Sequence, residues 1–121
     1  MADIKSYRDL RIWQIGIKIV KEIYAITRRF PKYELFGLTI QMRRSAVSIP
    51  SNIAEGHNRA HRKEFAQFLN VALGSCAELE TQITIAMELD YLLQNEGNRI
   101  LEALDGEGRQ IRSLIAKLAS P

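Results

Sequence analysis

Seven residues in the second half of the chain constrain it more than any other feature. Phe65, Leu69, Ala72, Cys76, Leu79, Ile83 and Ala86 follow one another at steps of 4, 3, 4, 3, 4 and 3. Side chains on a strand return to one face every second residue, and on a helix every 3.6 residues. The spacing therefore predicts an α-helix with one narrow apolar seam over three heptads. This helix is expected to run from Arg62 to about Leu93. A seam of that length must be covered by other helices.

The rest of the chain supplies them. A first helix is expected from about Tyr7 to Arg29, with Ser6 as N-cap, Asp9 in the first turn and Phe30-Pro31 as the stop. It carries two apolar stripes. Leu10, Trp13, Ile17, Val20 and Tyr24 form one; Ile12, Ile15, Ile19, Ile23, Ile26 and Phe30 form the other. One core needs one stripe, so the helix is buried on two sides, either at the centre of its own bundle or against another subunit. A second helix should start between Tyr33 and Leu38 and reach Gly56 or Asn58. Its stripe, Leu38, Met42, Ala46, Ile49 and Ile53, stays in phase across Pro50, which predicts a kink there rather than an end. A fourth helix is expected from about Gly97 to Ala119 on Leu101, Leu104, Ile111, Leu114 and Leu118, with Gly106 and Gly108 as weak points and a possible break. The connections, roughly 31–34, 58–61 and 93–97, are short. Short links between long helices make sequence neighbours antiparallel, so the expected fold is all-α, an up-down-up-down four-helix bundle forming a single domain over residues 1–121.

Length and composition agree. The 121 residues suffice for one core, and 46% hydrophobic with 26% charged residues excludes a disordered chain. The one cysteine, Cys76, excludes an internal disulfide framework, and its place on the seam makes it a small core residue rather than a nucleophile. The opening MADIKSYRDL has no apolar core of a leader, and no apolar stretch is long enough to span a bilayer. A cytoplasmic protein without membrane contact is expected.

Net charge is +3, but it is unevenly spread. Residues 1–63 carry 13 Lys/Arg against 5 Asp/Glu, and residues 64–121 carry 4 against 9. Such a basic half suits nucleic acid; equally, the two halves can attract one another within a bundle or between subunits. Arg43 and Arg44, then Arg59, Arg62 and Lys63, are the candidate phosphate contacts, with Arg28, Arg29 and Lys32 clustered nearby and Tyr7, Tyr33 and Phe36 as the neighbouring aromatics. No named nucleic-acid motif is present, so binding would read backbone or shape rather than bases.

The stretch SIPSNIAEG, 48–56, looks chemical. Gln41, Arg44, Ser48, Asn52, Glu55 and Arg59 are spaced 3, 4, 4, 3 and 4 and form a polar line along one flank of the second helix, with Glu55 and Arg59 as an i,i+4 pair. No nucleophile, base and orienter can be assembled from these types, so a hydrogen-bonded interface network is the favoured reading over a catalytic row. The third helix offers Glu78, Glu80 and Glu88 with Ser75 and Gln82, and Glu78 or Glu80 is the preferred partner for Arg43 or Arg44. Small Gly74 and Ser75 would let another backbone come close. His57 and His61 have the i,i+4 spacing of a metal pair, but Asn58 stands where the zincin signature needs Glu, and Gly56 signals the end of the helix. No metal site and no cofactor are assigned. The glycines fit neither a P-loop nor a dinucleotide fingerprint.

The stretches YRDLRIWQIGIKIVKEIY (7–24), FPKYELFGLTIQMRRSAVSIPSNIAEG (30–56) and FAQFLNVALGSCAELETQ (65–82) together resemble the bacterial four-helix bundle family named for the 23S rRNA intervening-sequence protein, also called the S23 ribosomal protein family. The match is carried by Glu34, Gly37, Leu38, Gln41, Arg43, Arg44, Ser48 and Asn52 to Gly56, then by Gly74, Ser75, Glu78 and Glu80; the glycine-rich LDGEGRQ departs from it. The resemblance implies a homopentamer of antiparallel bundles without enzymatic activity. A distant relative, the accessory protein of diversity-generating retroelements, binds nucleic acid and partners a reverse transcriptase.

Three expectations follow. The first is a non-enzymatic oligomer that binds RNA or DNA backbone, or a protein that acts on nucleic acid, through Arg43, Arg44, Arg59, Arg62 and Lys63. Gln41, Ser48, Asn52, Glu55, Glu78 and Glu80 would serve as its structural network. The second is a purely structural or protein-interaction oligomer. The third is a metal-dependent hydrolase on His57 and His61.

Overall fold

The computed structural model describes residues 6–120. Residues 1–5, part of the opening read above as lacking a leader, and Pro121 lie outside them. Four long helices form the fold: α1 (Arg11–Thr27), α2 (Ile40–His57), α3 (Arg62–Glu88) and α4 (Gln94–Ala119). Among the described residues there is no strand. Each helix packs on its sequence neighbour, and α1 also packs on α4, closing a bundle. The direction of packing is set by cross-contacts. The end of α1 meets the start of α4 where Arg29 pairs with Glu96 at 2.7 Å, and the start of α3 meets the end of α4 where Arg62 Nη2 donates to the Lys117 carbonyl at 2.9 Å.

The apolar seams are the core. In α3 every seam residue from Leu69 to Ala86 is buried, and in α2 Met42, Ala46, Ile49 and Ile53 are buried. Of the two stripes on α1, the inner one is Ile12, Ile19, Ile23 and Ile26, continued by Phe30 and joined by Gly16. Ile15 is only half-buried. Trp13, Ile17 and Val20 are half-buried and Tyr24 is 36% exposed. This outer stripe lies along an open apolar groove completed by Val47, Pro50, Ser51 and Ala54 of α2.

Several ends differ from the sequence expectation, each for a local reason. Ser6 caps a separate 3-10 turn, Tyr7–Asp9, closed by a reciprocal box in which Ser6 accepts from the Arg8 N–H and Asp9 accepts from the Ser6 N–H. Leu10 is extended (φ −74, ψ 129), so α1 starts only at Arg11. Between Phe30 and α2 the chain makes a 3-10 turn at Lys32–Glu34 and a π-type turn at Leu35–Thr39. Glu34 holds both: Oε1 accepts from the Leu38 N–H at 3.1 Å and Oε2 accepts from the Tyr91 hydroxyl at 2.9 Å. Helix α2 runs on through Pro50. Helix α3 stops at Glu88, five residues short of the expected end, because Asp90 adopts φ 60 and turns the chain. The Tyr91 N–H then bonds the Ala86 carbonyl and the Asp90 N–H the Met87 carbonyl, a Schellman closure with aspartate in the usual glycine position. Helix α4 starts three residues early and is unbroken through Gly106 and Gly108.

Helices α2 and α3 share the most extensive contact in the bundle. They come close where Gly56 faces α3. A Cβ built on Gly56 would lie 2.7 Å from Phe68 Cβ and 3.3 Å from the Phe65 carbonyl oxygen. The glycine of SIPSNIAEG is thus a packing residue.

Candidate nucleic-acid interface

The fold sorts the basic residues by bundle end rather than by sequence half. Dividing each helix near its middle, the end that holds the α2–α3 turn (residues 6–18, 50–75 and 108–120) carries 9 Lys/Arg against 3 Asp/Glu. The opposite end (19–49 and 76–107) carries 7 against 10. Three of the five candidate phosphate contacts, Arg59, Arg62 and Lys63, sit at the basic end. Arg43 and Arg44 lie on the other half of α2, about 20 Å away by the rise of a helix.

At the basic end the turn between α2 and α3 presents exposed Arg59, Arg62 and Lys63. Arg59 is held by Glu55 (3.0 Å) and lies over the Phe68 ring at 5.0 Å. Arg62 reaches across to the last turn of α4, where the Lys117 carbonyl accepts from it as well as from the Ser120 N–H. Beside it, Arg11 and Lys117 line one cleft with Leu10, Gln110 and Leu114. Arg8 lies over Tyr7 at 4.8 Å, and Tyr7 meets Trp13 edge-on. Arg8, Arg11 and Lys117 are absent from the sequence candidates. They lie at the chain's two ends, and only the topology brings them to the 59–63 turn. Exposed cations spread over such a surface, with few carboxylates among them, suit a chain of phosphates.

Arg43 is engaged elsewhere. Its Nε donates to Thr27 Oγ1 at 3.0 Å and its guanidinium lies over the Tyr24 ring at 4.6 Å. The expected ion pairs of Arg43 or Arg44 with Glu78 or Glu80 do not form. The ion pairs among the described residues are Arg29–Glu96, Arg59–Glu55 and Arg109–Asp105. Arg44 and Glu78 are exposed and Glu80 is half-buried. Arg43 instead fastens α2 to α1. Arg29 holds the Glu96 carboxyl below the usual carboxylate range.

The polar line of α2 is partly a network. Asn52 Nδ2 donates to the Ser48 carbonyl (2.8 Å) and to Ser48 Oγ (2.9 Å), and Ser48 Oγ lies 2.8 Å from Ser75 Oγ of α3. This joins α2 to α3 at mid-height. Gln41 is exposed and takes no part in it. His57 closes α2 against the edge of Phe65, whereas His61 is the extended residue before α3. The helix ends between them, so the two imidazoles share no helical face. Among the described residues no group of three His, Cys, Asp or Glu is placed to hold a metal ion. Burial, followed by the charges of Glu107 and Glu80, pushes the Cys76 thiol up to about 12.

One group escaped the sequence reading altogether. Glu107 is 1% exposed, inside the bundle, and neither of its oxygens has a hydrogen-bond partner. The signal was present: Ile100, Leu104, Glu107 and Ile111 are spaced 4, 3 and 4, so Glu107 occupies a seam position of α4.

A four-helix all-α protein with one strongly basic end is the class these features define. The chain matches the model of the 23S rRNA-intervening sequence protein family over residues 8–113, and it belongs to that family. Its fold is similar to that of a protein of unknown function from the S23 ribosomal protein family of Bacteroides thetaiotaomicron, with a TM-score of 0.80 at 21% identity over 87% of this chain and 95% of the other. No curated protein matches the chain. No helix among the described residues is long and apolar enough to cross a membrane.

Proposed function

We propose that the protein is a non-enzymatic module that binds the sugar-phosphate backbone of RNA or DNA through its basic end. The observation that carries this reading is the gathering of Arg59, Arg62 and Lys63 with Arg8, Arg11 and Lys117 at one end of a bundle whose other end is net acidic. Arg43, tied to Thr27 and Tyr24, has a bracing role, and Arg44 contributes a peripheral charge. The apolar groove of Trp13, Ile17, Val20, Val47 and Pro50 supports self-association, and the family resemblance supports a pentamer. Five copies would multiply the basic end by avidity.

Fluorescence anisotropy with RNA and DNA across a salt series tests the reading, with the mass of each sample followed by light scattering. Four phosphate contacts per site give a log–log salt slope of about −3 to −4. Arg62→Ala/Lys63→Ala should weaken binding at least tenfold, and Arg43→Ala/Arg44→Ala should weaken it less. Absence of binding by an intact oligomer at low salt overturns the proposal. It would favour the second reading, a protein-interaction oligomer. That reading is supported by Phe36, 90% exposed on the rigid turn that Glu34 holds, beside exposed Tyr33 and Leu35. A reverse transcriptase or another nucleic-acid enzyme is the partner class that the distant analogy suggests.

A further inference from the structure

Glu107 belongs to neither the basic end nor the Ser48–Asn52–Ser75 network. Its surroundings come from all four helices. A Cβ built on Gly16 of α1 would lie 3.4 Å from Glu107 Oε2 and 3.3 Å from Cβ and Cδ of Pro50 in α2. The carboxyl therefore packs on α1 at Gly16, the residue that Pro50 of α2 also approaches. The facing residues of α1 and α2, Gly16 and Pro50, carry no charge. From α3 the titratable neighbour is Cys76, neutral and held so by burial, with Glu80 beyond it. On α4 itself Arg112 lies toward Cys76 and Gly108, and it makes no bond to Glu107.

An ionised carboxylate in such a place has lost its water and gained no donor, whereas the neutral acid loses far less. Burial pushes the Glu107 carboxyl up to about 8. Pro50, on the same glycine, creates the converse need. Pro50 has no N–H, so the Ala46 carbonyl, four residues earlier in the same turn, lacks its helical donor. One group is tolerated only with a proton on it, and the other requires a donor.

We propose that Glu107 is a proton-binding site of the folded bundle: the neutral acid is its native form, and its O–H serves the carbonyl that Pro50 leaves open, directly or through one buried water. Folding takes up one proton and opening of the bundle releases it. The sign follows from linkage. Below the ordinary glutamate range both folded and unfolded chains hold the proton, and stability is full. As pH rises from that range to about 8, the unfolded chain has released its proton while the folded chain keeps it, so stability falls. Above that window the folded protein carries a buried, unpaired charge and the loss levels off.

The experiment is urea unfolding between pH 5 and pH 9 of the wild type and Glu107→Gln, together with a carbon-13 NMR titration of the Glu107 carboxyl in the wild type and in Pro50→Ala. The wild-type unfolding constant should rise by up to about tenfold per pH unit across the window. Glu107→Gln, which keeps a donor and does not titrate, should lose most of that slope and be the more stable protein at pH 9. Pro50→Ala, which returns an N–H to the Ala46 carbonyl, should lower the pH at which the Glu107 carboxyl titrates. A wild-type carboxyl that titrates in the ordinary glutamate range, or equal pH slopes for wild type and Glu107→Gln, overturns the proton site. A titration unmoved by Pro50→Ala overturns the assignment of its acceptor.

Discussion

Replacing Gly56 by alanine asks whether SIPSNIAEG ends in a glycine for packing. Two effects oppose each other. Alanine is the better helix former by about 1 kcal/mol at an interior position. Against this, the new Cβ would sit 2.7 Å from Phe68 Cβ, 3.0 Å from Phe65 Cδ1 and 3.3 Å from the Phe65 carbonyl oxygen. A phenyl ring can swing aside, but the Phe68 Cβ and the Phe65 carbonyl are fixed to the backbone of α3. Relief therefore requires α2 and α3 to part by about 1 Å at their most extensive contact, and overpacking of that kind costs about 1–3 kcal/mol. The net expectation is a loss of up to about 2 kcal/mol, or a Tm lower by up to about 8 °C for a chain of this size. Urea and thermal unfolding followed by circular dichroism read it directly. The matched control is Gly106→Ala on α4, where a Cβ meets nothing within 4 Å and the same propensity gain of about 1 kcal/mol should appear as stabilisation. A Gly56→Ala protein as stable as its Gly106→Ala counterpart would refute the close-approach argument.

Three further outcomes are expected. Cys76, buried and with its thiol held near 12, should resist a thiol reagent at pH 8 in the native protein and react only at the rate at which the bundle opens, a rate that urea should raise. Glu34→Ala removes the acceptor for both the Leu38 N–H and the Tyr91 hydroxyl, so it should cost about 1.5–3 kcal/mol and speed amide exchange through residues 35–39. Tyr91, whose phenol is raised first by its hydrogen bond with Tyr33 and then by burial and Glu34, should ionise more readily in that variant, which spectrophotometric titration would register.

The helices were legible wherever apolar period and chain continuity agreed. The α3 seam and the α2 stripe, read straight across Pro50, are the two central walls of the core. What sequence could not decide was which stripe of α1 faces inward, because both are apolar and in phase; the small Gly16, which lets Pro50 approach, marks the inner one. The end of α3 is not legible in the apolar period because Asp90 takes a left-handed conformation usually given to glycine. Glu107 was passed over because glutamate ordinarily marks a solvated position, and here a seam position outweighs that preference. The candidate surface was half visible. Arg59, Arg62 and Lys63 are adjacent in sequence, whereas Arg8, Arg11 and Lys117 join them only through the antiparallel order of the helices. The pairing expected between Arg43 or Arg44 and Glu78 or Glu80 failed because opposite charge was weighed without the hydroxyl of Thr27 and the ring of Tyr24, which lie nearer to Arg43.

The tie between Arg62 and the Lys117 carbonyl has a practical side. It places the last turn of α4 against the start of α3, while the α1 start opens into the same cleft as Lys117. Both described ends of the polypeptide thus emerge beside the cations. An affinity tag or fluorescent fusion added to either end would hang over the surface whose binding it was meant to report, adding its own charge or hiding theirs. A small dye attached in the Asp90 turn, at the far end of the bundle, would report from a distance and leave that surface bare.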